Sequence, residues 1–256
     1  MTGVLFEQVG GVAVLTLNEP ESSNALSKTI KDGLVRHLEQ AASTPDIRSI
    51  LITGTGRAFC AGGDIRSFDD RTPVAVRGRL LDTQSLVGYL TGEKPVVMAV
   101  NGAAAGAGFG LAMLGDVILV AAEARFVPAF PRIGAVPDLG LAYTLPRAVG
   151  LSRAKDILLR NREVSSTEAV AIGLAHERIE GGRLMEEALA VAKGLAEGAT
   201  VALGMSKALM QGSFDMSAKQ FFQAEAAAQA LAFSSQDFGE GVAAFRGKRR
   251  PNFAGR

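Results

Sequence analysis

The chain has little of the chemistry that metal-binding or disulfide-linked proteins display: one cysteine, two histidines and no tryptophan in 256 residues. A lone Cys60 excludes an intrachain disulfide and fits a reducing compartment. His37 and His176 do not join it at any metal-ligand spacing, so no bound metal is expected. The net charge is +1, which leaves no global field to recruit nucleic acid. No GxGxxG or Walker segment is present. The longest apolar run, near 111–122, is interrupted by Gly115 and Asp116 and is too short to span a bilayer. Residues 1–10 lack the apolar stretch of a signal peptide. These absences predict a soluble cytoplasmic protein with no nucleic-acid, membrane or metal partner.

What is present is small and apolar. Hydrophobic residues make up 48% of the chain and glycines number 30, which suits close-packed helices and tight turns in one large domain or a core with an appended part. Val4–Gln8 and Val12–Leu17 read as strands around a Gly10-Gly11 hairpin. Ser27 can cap a helix to about Ala41, with Ile30, Leu34 and Leu38 on one face. Ile47–Thr53, Pro95–Val100 and Val117–Ala121 read as strands, and 74–90 and 106–114 as helices. Residues 67–73 form a polar stretch, 126–138 is mostly loop, and a short helix over 139–145 is expected to stop at Pro146. His37 and His176 fall in helix-like patterns. From Arg183 onward the pattern is helical throughout. Strands first and helices last imply an α/β core over 1–195 and a helical region over 196–256.

Two segments share one plan, in which an apolar strand enters a small-residue turn and then a helix: AFCAGGDI at 58–65 and NGAAAGAGFGLAMLG at 101–115. In that plan the backbone N–H groups of Gly63 and Ala107 can meet on one carbonyl oxygen and stabilise it as it gains charge. The same glycines equally serve turns and helix packing. Asp138, in IGAVPDLG, is a lone carboxylate among Ile133, Val136 and Leu139. Burial there would raise its pKa and suit it to shuttle protons, and a helix cap is the other reading of Pro137-Asp138. Asp64 and Asp116 read as structural pairs or caps, and Cys60 as a small core residue.

These motifs, with NEPESSNAL at 18–26, FVPAFPRIGAVPDLGLAYTLPRAVG at 126–150 and SSQDFGEGVAAFRGKRRPNF at 234–253, closely resemble the crotonase, or enoyl-CoA hydratase/isomerase, family along nearly the whole chain. The resemblance implies an α/β spiral of β-β-α units with a helical C-terminal trimerisation region, assembled as a trimer or a dimer of trimers. It implies an acyl-CoA thioester substrate, with coenzyme A part of the substrate and no bound cofactor. It places the oxyanion-hole donors on Gly63 and Ala107. Asn24, Ala25, Leu26, Ala61, Gly62, Asp64 and Ile65 fall along the adenine and pantetheine, Phe130 in the acyl pocket, and Lys248 near the CoA phosphates.

The chain departs from the family where water is activated. Hydratases carry one glutamate where this chain has Gly110 and a second where it has Phe130. Asp138 instead matches the single acid of an isomerase branch that includes the ring-opening isomerase of phenylacetyl-CoA degradation. One carboxylate suffices to move a proton between two carbons, so the resemblance predicts a 3-enoyl-CoA to 2-enoyl-CoA shift. The alternatives are a hydratase with an atypical site and a CoA-thioester binding protein without catalysis. Dehalogenases of the family pair this aspartate with a histidine, and here Tyr89 stands in that neighbourhood.

Overall fold

The computed structural model describes residues 3–64, 66 and 69–256. Its plan is a β-β-α unit repeated along the chain. The strands β1 (Val4–Val9) and β2 (Val12–Leu17) form the predicted antiparallel hairpin, followed by α1 (Lys28–Ser43). Ser27 caps α1 by accepting from Ile30 N–H at 3.1 Å, and Ile30, Leu34 and Leu38 are fully buried on one face. Next come β3 (Ser49–Gly54) and β4 (Ala58–Cys60), then α2 (Pro73–Asp82) and α3 (Gln84–Leu90). The third unit is β5 (Val96–Val100), β6 (Ala103–Ala105) and α4 (Ala107–Ala112). The fourth is β7 (Val117–Ala121), β8 (Arg125–Val127) and α5 (Leu141–Val149). Then follow α6 (Leu151–Leu159), β9 (Val164–Ser165), α7 (Ser166–Ala171) and β10 (Glu177–Ile179). The chain closes with α8 (Leu184–Ala196), α9 (Thr200–Gly212), α10 (Ala218–Ser234) and α11 (Gln236–Arg246).

The first unit keeps both strands in one sheet, and each later strand pair, from β3/β4 to β9/β10, divides between two sheets. The larger runs β1-β2-β3-β5-β7-β10 and the smaller β4-β6-β8-β9. In the larger sheet β3, β5 and β7 are parallel and almost wholly buried, in keeping with the apolar run at the centre of β3 and the unbroken ones of β5 and β7. In the smaller sheet β4, β6 and β8 are parallel neighbours. Their C-terminal ends therefore open side by side, and the three loops that follow meet there.

Several expectations change. The helix expected over 74–90 breaks at Thr83, whose hydroxyl donates to Leu80 O at 2.7 Å and competes with the helical ladder. Pro146 does not stop α5. The helix runs through it to Val149 because Leu141, Leu145 and Val149 are buried on the core. His176 lies ahead of β10, not in a helix, and its Nδ1 accepts from Ile118 N–H at 3.0 Å. The polar stretch at 67–73 begins with residues outside the described ones. Among the described residues no single helix is long and apolar enough to cross a membrane.

The C-terminal residues return to the start of the sheet. Asp237, buried, accepts from the N–H groups of Ala254 and Gly255 at 2.6 and 2.8 Å. Arg48, just ahead of β3, donates to Phe253 O at 2.8 Å and to Thr200 Oγ1 at 2.9 Å, and also reaches Gly198 O.

Candidate active site

The turns after β4 and β6 are packed backbone to backbone. A Cβ on Gly108 would lie 2.1 Å from Cys60 O, so only glycine lets α4 approach the end of β4 this closely. Gly62 has φ +100°, and a Cβ there would lie 2.7 Å from Ala105 O and 3.2 Å from Ala107 N. The two turns are thus in contact at Gly62 and Ala107.

The direction of their N–H groups follows from the flatness of the peptide. In a trans peptide the C=O and the next N–H point opposite ways. Gly62 C=O accepts from Leu26 N–H at 2.7 Å, so the N–H of Gly63 faces away from Leu26. Gly106 C=O accepts from Phe109 and Gly110 N–H at 3.0 and 3.2 Å, so the N–H of Ala107 faces out from the start of α4. Gly63 is exposed, whereas Ala107 is buried at 4%.

The loop after β8 forms the third side. Gly106 N–H donates to Val127 O at 2.9 Å, which ties this loop to the second turn. Phe130 is buried, and its ring approaches the Cβ position of Gly106 to 3.9 Å. Ala129, at φ +65°, donates its N–H to Asn161 Oδ1 at 2.9 Å. Asn161 is a positioning contact that no sequence pattern marked, since it lies 32 residues away.

Asp138 lies farther along the same loop. Its Oδ1 is buried and has no hydrogen-bond partner among the described residues. Burial pushes its carboxyl up to about 6. The cap reading fails because the N-cap of α5 is Gly140 with no side-chain cap, and Leu141 N–H bonds only the Asp138 carbonyl, at 3.0 Å. The apolar neighbours expected around Asp138 are also corrected. Ile133 and Val136 are 63% and 79% exposed, and of the three only Leu139 is buried. Burial pushes the Cys60 thiol up to about 12, with the Asp138 charge adding a smaller push in the same direction. The geometry agrees: on α4, Gly110 lies against the Asp138 carbonyl and Gly108 against Cys60 O, so this helix brings Asp138 to the end of β4.

The remaining residues fall as follows. Ala25 and Leu26 are buried, and Leu26 bridges Gly63 as a parallel strand pair. Asn24 is fully buried, with its side chain joined to Glu19 N–H, Thr55 O and Ala58 O at 2.9 Å each, so it braces the loop. Ala61 is exposed beside Gly62. Asp64 accepts from the Arg66 guanidinium at 2.8 and 3.1 Å, and that bonding holds its carboxyl below the usual range. Ile65 lies outside the described residues. Lys248 is exposed after α11, and its N–H donates to Phe245 O at 3.2 Å. Its neighbour Arg249 is committed to Glu240 at 2.6 and 2.8 Å. Among the described residues no group of three His, Cys, Asp or Glu is placed to hold a metal ion. Surface cavities of about 640 Å³, beside Arg48, and about 430 Å³, between α9 and α10, lie away from this site.

Two turns packed against each other beside a half-buried carboxylate suit the chemistry of an enolate, and the comparisons with known proteins point to the same chemistry. The sequence profile of the family Enoyl-CoA hydratase/isomerase matches residues 7–256. The chain belongs to this family. It is 37% identical to a 1,2-epoxyphenylacetyl-CoA isomerase of Escherichia coli (strain K12), over 96% of each chain. It is 36% identical to a probable enoyl-CoA hydratase of Rhodobacter capsulatus, over 99% of this chain and 98% of the other. The fold superposes on an enoyl-CoA hydratase/isomerase from Cupriavidus metallidurans CH34 with a TM-score of 0.93, at 34% identity over 99% and 96% of the two chains. The protein is accordingly an enzyme acting on acyl-CoA thioesters, and its relatives carry both isomerase and hydratase names.

Proposed function

We propose that this member of the enoyl-CoA hydratase/isomerase family moves a double bond from the 3- to the 2-position of an enoyl-CoA, with Asp138 carrying the proton. The observation that supports it most is Asp138 Oδ1, buried and unpartnered on a carboxyl raised to about 6. Such a group is ionised near neutral pH yet basic enough to accept a carbon-bound proton. The N–H groups of Gly63 and Ala107 hold the thioester oxygen. Asp138 takes a proton from C2, the electron pair spreads through the carbonyl and the adjoining double bond, and the same carboxyl returns the proton at C4. The double bond is left between C2 and C3, and no water is consumed.

The two family positions that would activate water bear Gly110 and Phe130. A glycine transfers no proton, and a buried phenyl ring beside Gly106 leaves little room for a positioned water. Ala25, Leu26, Ala61–Asp64 and Phe130 are assigned to the substrate by their place around the turns, whereas Asn24, expected there too, is fully buried and braces their loop instead. Lys248 is assigned to the CoA phosphates, supported by its exposure and by the commitment of Arg249 elsewhere. The active form is proposed to be a homotrimer or a pair of trimers, supported by the apolar surface left exposed on α9–α11. A reducing cytoplasm suits the single buried thiol.

The test is incubation with a 3-enoyl-CoA and, separately, a 2-enoyl-CoA, following mass and absorbance. Conjugation without mass change is expected, and Asp138→Asn should slow it by about 10²–10⁴-fold with KM little altered. Gain of one water from the 2-enoyl substrate, with no 3-to-2 shift, would overturn the isomerase reading in favour of hydration.

A further inference from the structure

Position 110 is the site of a second observation, and it concerns space. A Cβ built on Gly110 would lie 2.9 Å from the Asp138 carbonyl oxygen and 2.9 Å from Leu139 Cβ. Backbone and a Cβ are rigid obstacles, unlike the end of a long side chain, so neither yields without moving the loop. Independently, Leu139 sits at φ +45°, a region that a bulky residue enters only when its surroundings impose it. The residue is 7% exposed. The loop is therefore held in an uncommon conformation by its contact with the bare face of α4.

We propose that Gly110 is a positioning residue: because it has no side chain, the Asp138–Leu139 backbone seats directly on α4 and holds the Asp138 carboxylate beside the end of β4. This inference rests on Asp138 being the proton carrier. It adds a reason why the chain lacks an acid at position 110. An acid on the helix and this seating of the loop need the same volume, so the two arrangements exclude each other. Gly110→Glu, alone or with Phe130→Glu, therefore does not create a hydratase on this backbone. It displaces the loop instead.

The decisive variant is Gly110→Ala, compared with Gly194→Ala, an exposed α8 glycine with nothing within 4 Å of the added Cβ. Two readouts are taken on folded protein. The first is turnover of a 3-enoyl-CoA. A displacement of about 1 Å is expected to lower kcat about 10²-fold with KM held within about threefold, while Gly194→Ala matches wild type. The second is the carboxyl titration of Asp138 by carbon-13 NMR, assigned by its loss in Asp138→Asn and taken without substrate. The midpoint is expected to move from about 6 toward about 3.9 as the displaced loop hydrates the carboxyl. Wild-type protein that fails to shift the double bond strikes the proposed reaction and leaves the titration to decide the positioning role. A folded Gly110→Ala protein with unmoved midpoint and unchanged kcat overturns that role. If Gly110→Ala does not fold, Leu139→Gly decides, since it attacks the same contact from the loop side and glycine accepts φ +45°. Its midpoint should fall likewise, and an unmoved one overturns the inference.

Discussion

Asp138 combines a need for burial, which raises its basicity, with a cost to folding whenever it is charged. Its carboxyl is raised by desolvation from 3.8 to about 6. Between those values the folded protein keeps a proton that the unfolded chain has released. Stability therefore falls as pH rises through this window, and the contribution from the Asp138 proton is fully lost above about 6. Two pKa units correspond to about 3 kcal/mol, an upper figure for a group that water partly reaches. Asp138→Asn is neutral at every pH and escapes the loss. Its melting temperature relative to wild type should climb between pH 4 and pH 7, by calorimetry in matched buffers. A constant offset across that range would mean that the carboxyl is not desolvated. Activity runs the opposite way, because only the ionised carboxylate accepts a proton, so wild-type turnover should rise through about pH 6.

At the scale of elements, the helical region is fastened to the core by an ion pair between a buried lysine and a half-buried carboxylate. Lys207 on α9 is 5% exposed and meets Asp116, at the start of β7, at 2.7 Å. It also donates to Leu90 O and Lys94 O at 2.8 and 3.1 Å. Burial raises the Asp116 carboxyl and lowers the Lys207 ammonium, so each charge persists because of the other. Lys207→Met strands the half-buried carboxylate and should cost at most about 3 kcal/mol in urea unfolding, the low end of the range for a fully buried pair, with much of it restored by adding Asp116→Asn. Equal loss in the single and double variants would show that the carbonyl contacts, not the charges, fasten α9. The sequence marked Asp116 as structural but not its partner, since a lysine on a helix reads as surface. The same limit explains other elements. Strong local patterns such as Val12–Leu17 and the Ser27-capped α1 were legible. The strand β6 is three alanines, with no preference for a strand, and exists because β4 and β8 flank it. At the site, the motifs singled out Gly63, Ala107 and Asp138 as candidates. The seating of Asp138 on Gly110 was not legible, because it depends on a contact across 28 residues that leaves no periodic trace.

Taken as a whole, a single chain leaves much of its C-terminal surface unsatisfied. Of the 17 residues of α10 only Ala228 is buried. Leu231 is 56% exposed, Phe214 between α9 and α10 67%, and Phe245 at the end of α11 87%. Exposed large apolar side chains concentrated on these helices suit an interface, in line with the proposed trimer. Leu231→Asp with Phe245→Asp should cost the isolated chain little, since both side chains already face solvent, yet place charges in a buried interface. Light scattering should then report the 26.6 kDa chain in place of a three- or six-fold multiple. A wild-type mass of 26.6 kDa, or a variant mass unchanged from wild type, would remove the basis for the assembly. Phe245 also sets the position of Lys248, three residues on, through the 3.2 Å bond to its carbonyl. If the interface delivers that lysine to a neighbour's substrate, the dissociated variant should show a raised KM for the CoA thioester. Lys248→Ala in the intact assembly should raise KM in the same direction, and added salt, by screening the ammonium, should narrow the gap from wild type.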